Sequence, residues 1–250
     1  MASPYSPAEL TNLRDRARDI VTDDPYTWHE AWKRGATPWD FKQSQPPLRS
    51  LLESKELDLP ATGKALVPGC GAGYDAIVIG AILGYDVLGL DISSTAVEKG
   101  RSLIANDPTL SSKVQFKAAN FFDLNLFSSD DKDKYDLIYD YTFVHSHLSL
   151  CSSLINPTNL NRFFVAFPPS LRPSWGTQMN KLVKQGGHLV TLISPIDPYD
   201  ENDTGAPYYV RPEHYPEILG DGWEKVVDRD PEDSAERFAR RQRLVVWRKL

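Results

Sequence analysis

Cysteine is scarce. The 250 residues hold two, Cys70 and Cys151, which make neither a disulfide framework nor a zinc site. Long apolar runs are missing as well. No stretch approaches the roughly 20 apolar residues of a membrane span, and residues 1–24 are too polar for a signal peptide, so the expectation is a cytoplasmic protein with no membrane partner. Positive charge is not in excess. With 28 basic and 34 acidic residues the net charge is −6, which disfavours a nucleic-acid partner. No internal repeat, no His-Glu-x-x-His helix and no Gly-x-Ser-x-Gly elbow occurs. His145 and His147 form a pair without a third ligand nearby, so no metal is expected. The basic group Arg237, Arg240, Arg241 and Arg243 is balanced by the acidic stretch before it and reads as a solvated face.

What is present is ordinary globular composition, 41% hydrophobic and 25% charged. Leu10, Leu13, Ala17 and Ile20 recur at helical spacing and predict a helix over 8–20. A second is expected over 48–57. From residue 64 strands and helices alternate. Strands are expected at 64–68, 86–91, 114–118, 135–139 and 188–193, with helices at 74–83, after Ser93 or Ser94, and at 175–184. A Gln185-Gly186-Gly187 turn would separate that last helix from its strand. Segments 223–227 and 243–247 have no good helix between them and read as an antiparallel pair at one sheet edge. The sum is a single α/β domain over 1–250: a doubly wound, mostly parallel sheet with an antiparallel edge strand and helices on both faces.

The strongest chemical signal is Val67-Pro68-Gly69-Cys70-Gly71-Ala72-Gly73-Tyr74, lying between a strand and a helix. Glycines there let the backbone bend tightly and approach a ligand. Asp91 ends the next strand, 18 residues after Gly73, where a carboxylate can accept both ribose hydroxyls. Loop and acid together point to an adenosine-type ligand. A dinucleotide wants Gly-x-Gly-x-x-Gly, but Tyr74 stands at its third glycine, which leaves an NAD-linked oxidoreductase as the weaker reading. S-adenosylmethionine (AdoMet) has no pyrophosphate and tolerates this loop; a glycine turn without a ligand is the plain alternative. Asn120 and Phe121 follow the third strand, where they would reach the adenine amino group and stack on its ring. Tyr141 ends the fourth strand at the carboxyl edge of the sheet, where ligands sit.

Trp28 and Trp32 are four apart and share a helix face, with Trp39 following. Such rings are usually core, but aromatic faces also hold a sulfonium cation. The Trp-x-x-x-Trp…Thr-Pro-Trp-Asp stretch (28–40), Val-Pro-Gly-Cys-Gly-Ala-Gly-Tyr-Asp (67–75) and Gly-Leu-Asp-Ile-Ser (89–93) resemble the thiopurine S-methyltransferase family. Phe-Phe-Asp-Leu (121–124), Tyr-Asp-Tyr-Thr-Phe (139–143), Pro-Pro-Ser-Leu-Arg (168–172) and Gly-Ala-Pro-Tyr-Tyr-Val (205–210) extend the resemblance, which is strongest to the plant and fungal halide/thiol branch.

The resemblance implies AdoMet as cofactor, S-adenosylhomocysteine as product, and methyl transfer to a thiol, halide, thiocyanate or similar small soft nucleophile. It implies an N-terminal lid over 1–47, with Trp28, Trp32 and Trp39 at the methionine end. Gly69, Gly71, Gly73, Asp91 and Ile92 would hold the cofactor's backbone side and ribose, and Asn120 and Phe121 would flank the adenine. Tyr208 and Tyr141 would orient the acceptor; Tyr141 stands where the thiopurine branch has an arginine.

One stretch departs from the family. In relatives Tyr-Asp-Tyr-Thr-Phe runs almost directly into Pro-Pro-Ser-Leu-Arg, whereas here 144–163 intervenes. Loops at such positions are usually about 2–6 residues long. The stretch reads as a retained intron, a tolerated loop or a lid. An AdoMet-binding protein whose acceptor side is blocked by it is the alternative function.

Overall fold

Strands alternating with helices require a sheet whose two faces are both covered, and the chain builds one. The computed structural model describes residues 4–22, 24–123, 125–127, 130–143, 169–194, 210–234 and 238–250. The strands are β1 (Lys64–Pro68), β2 (Asp86–Asp91), β3 (Val114–Ala118), β4 (Tyr135–Phe143), β5 (Val183–Ser194), β6 (Trp223–Arg229) and β7 (Arg243–Lys249). Their order is β3-β2-β1-β4-β5-β7-β6. β1 to β5 pair in parallel, and β7 runs antiparallel to both β5 and β6. β1 heads the order reversal, with β2 on one side and β4 on the other. A crevice opens there at the carboxyl ends of the strands.

The helices are α1 (Pro7–Arg18), α2 (Thr27–Lys33), α3 (Pro46–Ser54), α4 (Tyr74–Leu83), α5 (Ser94–Ile104), α6 (Pro108–Lys113), α7 (Arg172–Leu182) and α8 (His214–Leu219). Leu48 and Leu51 of α3, Ile79 of α4 and Val97 of α5 pack on one sheet face with Leu137, Tyr139, Val190, Leu192, Leu244 and Val246. Trp175 and Met179 of α7 and Tyr215 of α8 cover the other face with Leu66, Ile138, Leu189, Ile193 and Val245. Consecutive residues of one strand serve opposite cores, which is why the central strands read as unbroken apolar runs. No helix among the described residues is long and apolar enough to cross a membrane.

Local signals set the ends of the elements. Ser6 caps α1 in a reciprocal box with Glu9. Gly84, left-handed at φ 67°, stops α4. Ser93, not Ser94, caps α5 through the Ala96 N–H.

The expected turn at 185–187 is different. α7 stops at Leu182, and Val183 already pairs with Tyr135; regular pairing resumes between Leu137 and His188. The glycines lie in a bulge inside β5, with Gly186 at φ 74°. Lys184 at the start of the bulge reaches both carboxyl oxygens of Asp136 at 2.8 Å. That ion pair offers a physical reason for the extra residues between the paired rungs. The 144–163 stretch and the His145–His147 pair lie outside the described residues.

Candidate functional site

The glycine loop after β1 bends through three left-handed residues, Gly69 (φ 61°), Gly71 (φ 55°) and Gly73 (φ 78°). Such angles strain any residue with a Cβ. Gly71 also lies under the indole of Trp32, where a Cβ would come within 3.1 Å of the ring. The bend aims the Gly71 N–H at Asp91. One Asp91 carboxyl oxygen accepts from Gly71 N and the other from Ser93 N, each at 2.8 Å. Each oxygen keeps a further lone pair. Burial nonetheless pushes the Asp91 carboxyl up to about 6.

Segment 25–45 crosses over this loop. α2 places Trp28 and Trp32 on one side, and Trp39 meets both edge-to-face, at 5.2 Å and 6.4 Å between ring centroids. Trp32 packs on Ala72 and Ala96, and the Lys99 ammonium lies 4.8 Å from its ring centre. His29 Nδ1 lies 3.3 Å from the Ser93 hydroxyl. The segment is pinned at its far end as well, where the Asp75 carboxyl accepts the Gln45 N–H at 2.8 Å.

Loop and segment enclose a cavity of about 410 Å³, a size typical of small-molecule sites. Trp28, Trp32, Trp39, Gly69, Gly71, Asp91, Ile92, Asn120, Phe121 and Tyr141 all line it. Ten residues singled out from the sequence thus meet in one place. Asn120 Oδ1 accepts the Phe122 N–H at 3.0 Å, which fixes its side chain at the wall. Phe121 is held from behind by Gln178, whose amide donates to its carbonyl at 2.9 Å.

One of the expected residues stands elsewhere. Gly73 is not in the wall; it opens α4, and a Cβ there would come within 2.1 Å of the Phe116 ring. Its glycine serves helix–strand packing. Tyr208 lies outside the described residues.

The sequence reading assigned no role to Asp40 and Asp75, yet both line the cavity. Asp40 follows Trp39 directly, and Asp75 sits in the first turn of α4, where the helix dipole favours an acid. Those positions were the available signals. Burial raises both carboxyls, Asp75 to about 7. Cys70 also lines the cavity, but burial, with Asp91 close by, raises its thiol well above the usual range and keeps it protonated. Among the described residues no cluster of three or more His, Cys, Asp or Glu could hold a metal ion.

The arrangement fits AdoMet on its own terms. Asp91 keeps lone pairs toward the cavity for ribose hydroxyls, the Gly69–Gly71 backbone presents no side chain, and an aromatic wall faces buried carboxylates. The comparisons agree. The model of the family described as thiopurine S-methyltransferase (TPMT) matches residues 23–146 and 161–248. The interval it leaves unmatched, 147–160, falls inside the 144–163 stretch. "Probable thiol methyltransferase 2" of Arabidopsis thaliana is 36% identical over 211 residues, covering 84% of this chain and 79% of its own. "Thiocyanate methyltransferase 1" of Brassica oleracea is 31% identical over 225 residues, covering 89% and 84%. The solved 1,6-didemethyltoxoflavin-N1-methyltransferase of Burkholderia thailandensis, with S-adenosylhomocysteine bound, shares the fold at a TM-score of 0.59 and 15% identity, over 100% of this chain and 92% of that one. With the family model matched over most of its length, the chain belongs to the thiopurine S-methyltransferase family.

Proposed function

We propose that the protein is an AdoMet-dependent methyltransferase acting on a thiol or a comparably small soft nucleophile, in the cytoplasm and without a metal. The observation that carries this reading is the convergence of Asp91, the Gly69–Gly71 bend and three tryptophans on one cavity. Bound there, AdoMet would supply an activated methyl group and a neutral thioether leaving group.

The chain's part is position and environment. Asp91 would grip the ribose, its two oxygens already oriented by Gly71 and Ser93. Asn120 and Phe121 would bracket the adenine. Trp28, Trp32 and Trp39 would face the sulfonium, with Asp40 and Asp75 as nearby negative charge. Tyr141, and Tyr208 by the family resemblance, would orient the acceptor. Segment 1–47 would serve as the lid, and 144–163 as an insertion on the acceptor side. Holding the two reacting atoms at about 3–3.5 Å supplies several kcal/mol of the barrier reduction. A thiol needs little activation, since a few per cent is already thiolate near neutral pH.

Two relatives named for thiol and thiocyanate methylation support the choice of acceptor class. The test is a titration of the full chain with AdoMet, S-adenosylhomocysteine and NADH. A panel of hydrosulfide, 2-mercaptoethanol, thiocyanate and iodide follows, scored by S-adenosylhomocysteine release. Binding of the first two ligands and turnover with at least one acceptor are expected. Binding of NADH alone overturns the reading.

A further inference from the structure

Beyond Tyr141 the sheet carries a group of buried polar atoms that the cofactor does not explain. Ser194 ends β5, and Gln242 immediately precedes β7. Ile193 and Arg243 are paired in the antiparallel ladder, which sets Ser194 and Gln242 opposite each other on the next rung. Tyr141 pairs with Leu192, two residues before Ser194. Side chains alternate along a strand, so Ser194 shares a face with Leu192 and Val190, and Gln242 with Leu244 and Val246. Those four belong to the same core cluster as Tyr139, and Tyr141 packs against it. Tyr141, Ser194 and Gln242 therefore occupy one face at the carboxyl edge of the parallel strands. The residues just before Gln242 close the arrangement. Phe238 stacks edge-to-face on Phe41 at 6.1 Å and packs on Tyr141, and both Phe41 and Tyr141 line the cavity.

Ser194 and Gln242 are each only 1% exposed. The Ser194 hydroxyl and both the Nε2 and Oε1 atoms of Gln242 have no hydrogen-bond partner among the described residues. Leaving such groups unmet is costly, so native structures seldom keep them without a use. Three unmet atoms on two neighbouring residues, two rungs beyond a cavity-wall tyrosine and outside the cavity's own lining, are groups that a small ligand reaching past Tyr141 would satisfy.

We propose that Gln242 and Ser194 form the acceptor subsite and hold a small protic sulfur nucleophile, hydrosulfide, which keeps one S–H in its reactive anionic form. This proposal rests on the methyltransferase reading above. Gln242 offers N–H donors and a carbonyl acceptor, and the Ser194 hydroxyl offers both. Together they suit a group that both gives and receives a hydrogen bond, and they do so without charge. A halide or thiocyanate would use the donors alone. Both residues act by positioning.

The test uses the full chain and its Gln242→Leu variant, with hydrosulfide and thiocyanate as acceptors. Removing an amide that has no partner leaves a fold no less stable, so the variant is expected to fold. The hydrosulfide KM should rise about tenfold or more, while the AdoMet Kd stays within about twofold, a split that a merely structural role would not produce. Should Gln242→Leu fail to fold, Ser194→Ala carries the same test with a rise of about threefold. An unchanged hydrosulfide KM overturns the proposal, whatever happens to kcat. So does an AdoMet Kd that moves as far as the KM, because the residue then serves the cofactor. Wild-type turnover of thiocyanate but not of hydrosulfide overturns the protic assignment. If the wild type neither binds AdoMet nor releases S-adenosylhomocysteine with any acceptor, the methyltransferase reading itself fails, and that result is distinct from the others.

Discussion

Asp91 carries two opposed demands. In the proposed ribose-gripping role it must be ionised, yet burial lifts its carboxyl to about 6, against the pull of two backbone N–H groups. AdoMet affinity is therefore expected to be flat above about pH 7 and to weaken as pH falls through about 6. Titrations at pH 5 and pH 8 check this, and equal affinities would exclude a ribose-gripping carboxylate. Asp91→Ala should weaken binding by about 1–3 kcal/mol at pH 8 and remove the pH dependence. The neighbouring glycines divide by the same kind of local argument. Gly71 must be bare because Trp32 lies over it, Gly73 because Phe116 lies behind it. Only the first lines the cavity, and the one-dimensional spacing of the motif could not tell them apart.

At the scale of the element, segment 25–45 is held by a few dispersed contacts: the Trp32 indole against the glycine loop, His29 against Ser93, and Gln45 against Asp75. The three tryptophans do not share the work equally. Trp32 is 4% exposed and packs on Ala72 and Ala96, so Trp32→Ala should cost about 3–5 kcal/mol of folding stability, as for other buried aromatics. Trp28 is partly exposed and faces the cavity. Trp28→Ala should leave the melting temperature nearly unchanged while weakening AdoMet binding by about 0.5–2 kcal/mol, the range of a cation over an aromatic face. Melting curves and titration separate the two effects; a Trp28 variant that melts early and binds normally would return that ring to ordinary core.

The same contrast marks what could be read from sequence. The parallel strands and α4 were legible because burial on both faces forces unbroken apolar runs and because Gly84 stops a helix by its own backbone. The bulge at 184–187 was not, since it is tied to a lysine reaching an aspartate 48 residues away. Asp40 and Asp75 were quoted within motifs but given no role, because their burial comes from a fold-back of segment 25–45 that no local period records.

The whole molecule pays an electrostatic cost for its site. Asp75, partly buried, and Asp91, buried, both line the one cavity, their carboxyls raised to about 7 and about 6 against about 3.9 in an unfolded chain. A raised carboxyl favours the neutral form in the fold. These two groups therefore favour folding fully below about pH 3.9, and that contribution is lost as pH rises through 6 and 7. At neutral pH the ligand-free protein holds charge where water is scarce, which destabilises it. Asp75→Asn isolates the effect, because an amide oxygen can still accept the Gln45 N–H while no charge forms. The variant should melt higher than the wild type at pH 8, with the difference shrinking steadily toward pH 5. The wild type should in turn gain more melting temperature from saturating AdoMet at pH 8 than at pH 5, since bound positive charge offsets a cost that exists only when the carboxyls are ionised. Melting curves of both proteins at pH 5, 6, 7 and 8, with and without AdoMet, read the two trends together. A variant that melts below the wild type by the same amount at every pH would show that Asp75 serves only the Gln45 contact, and the charged cavity would then have no bearing on the stability of the fold.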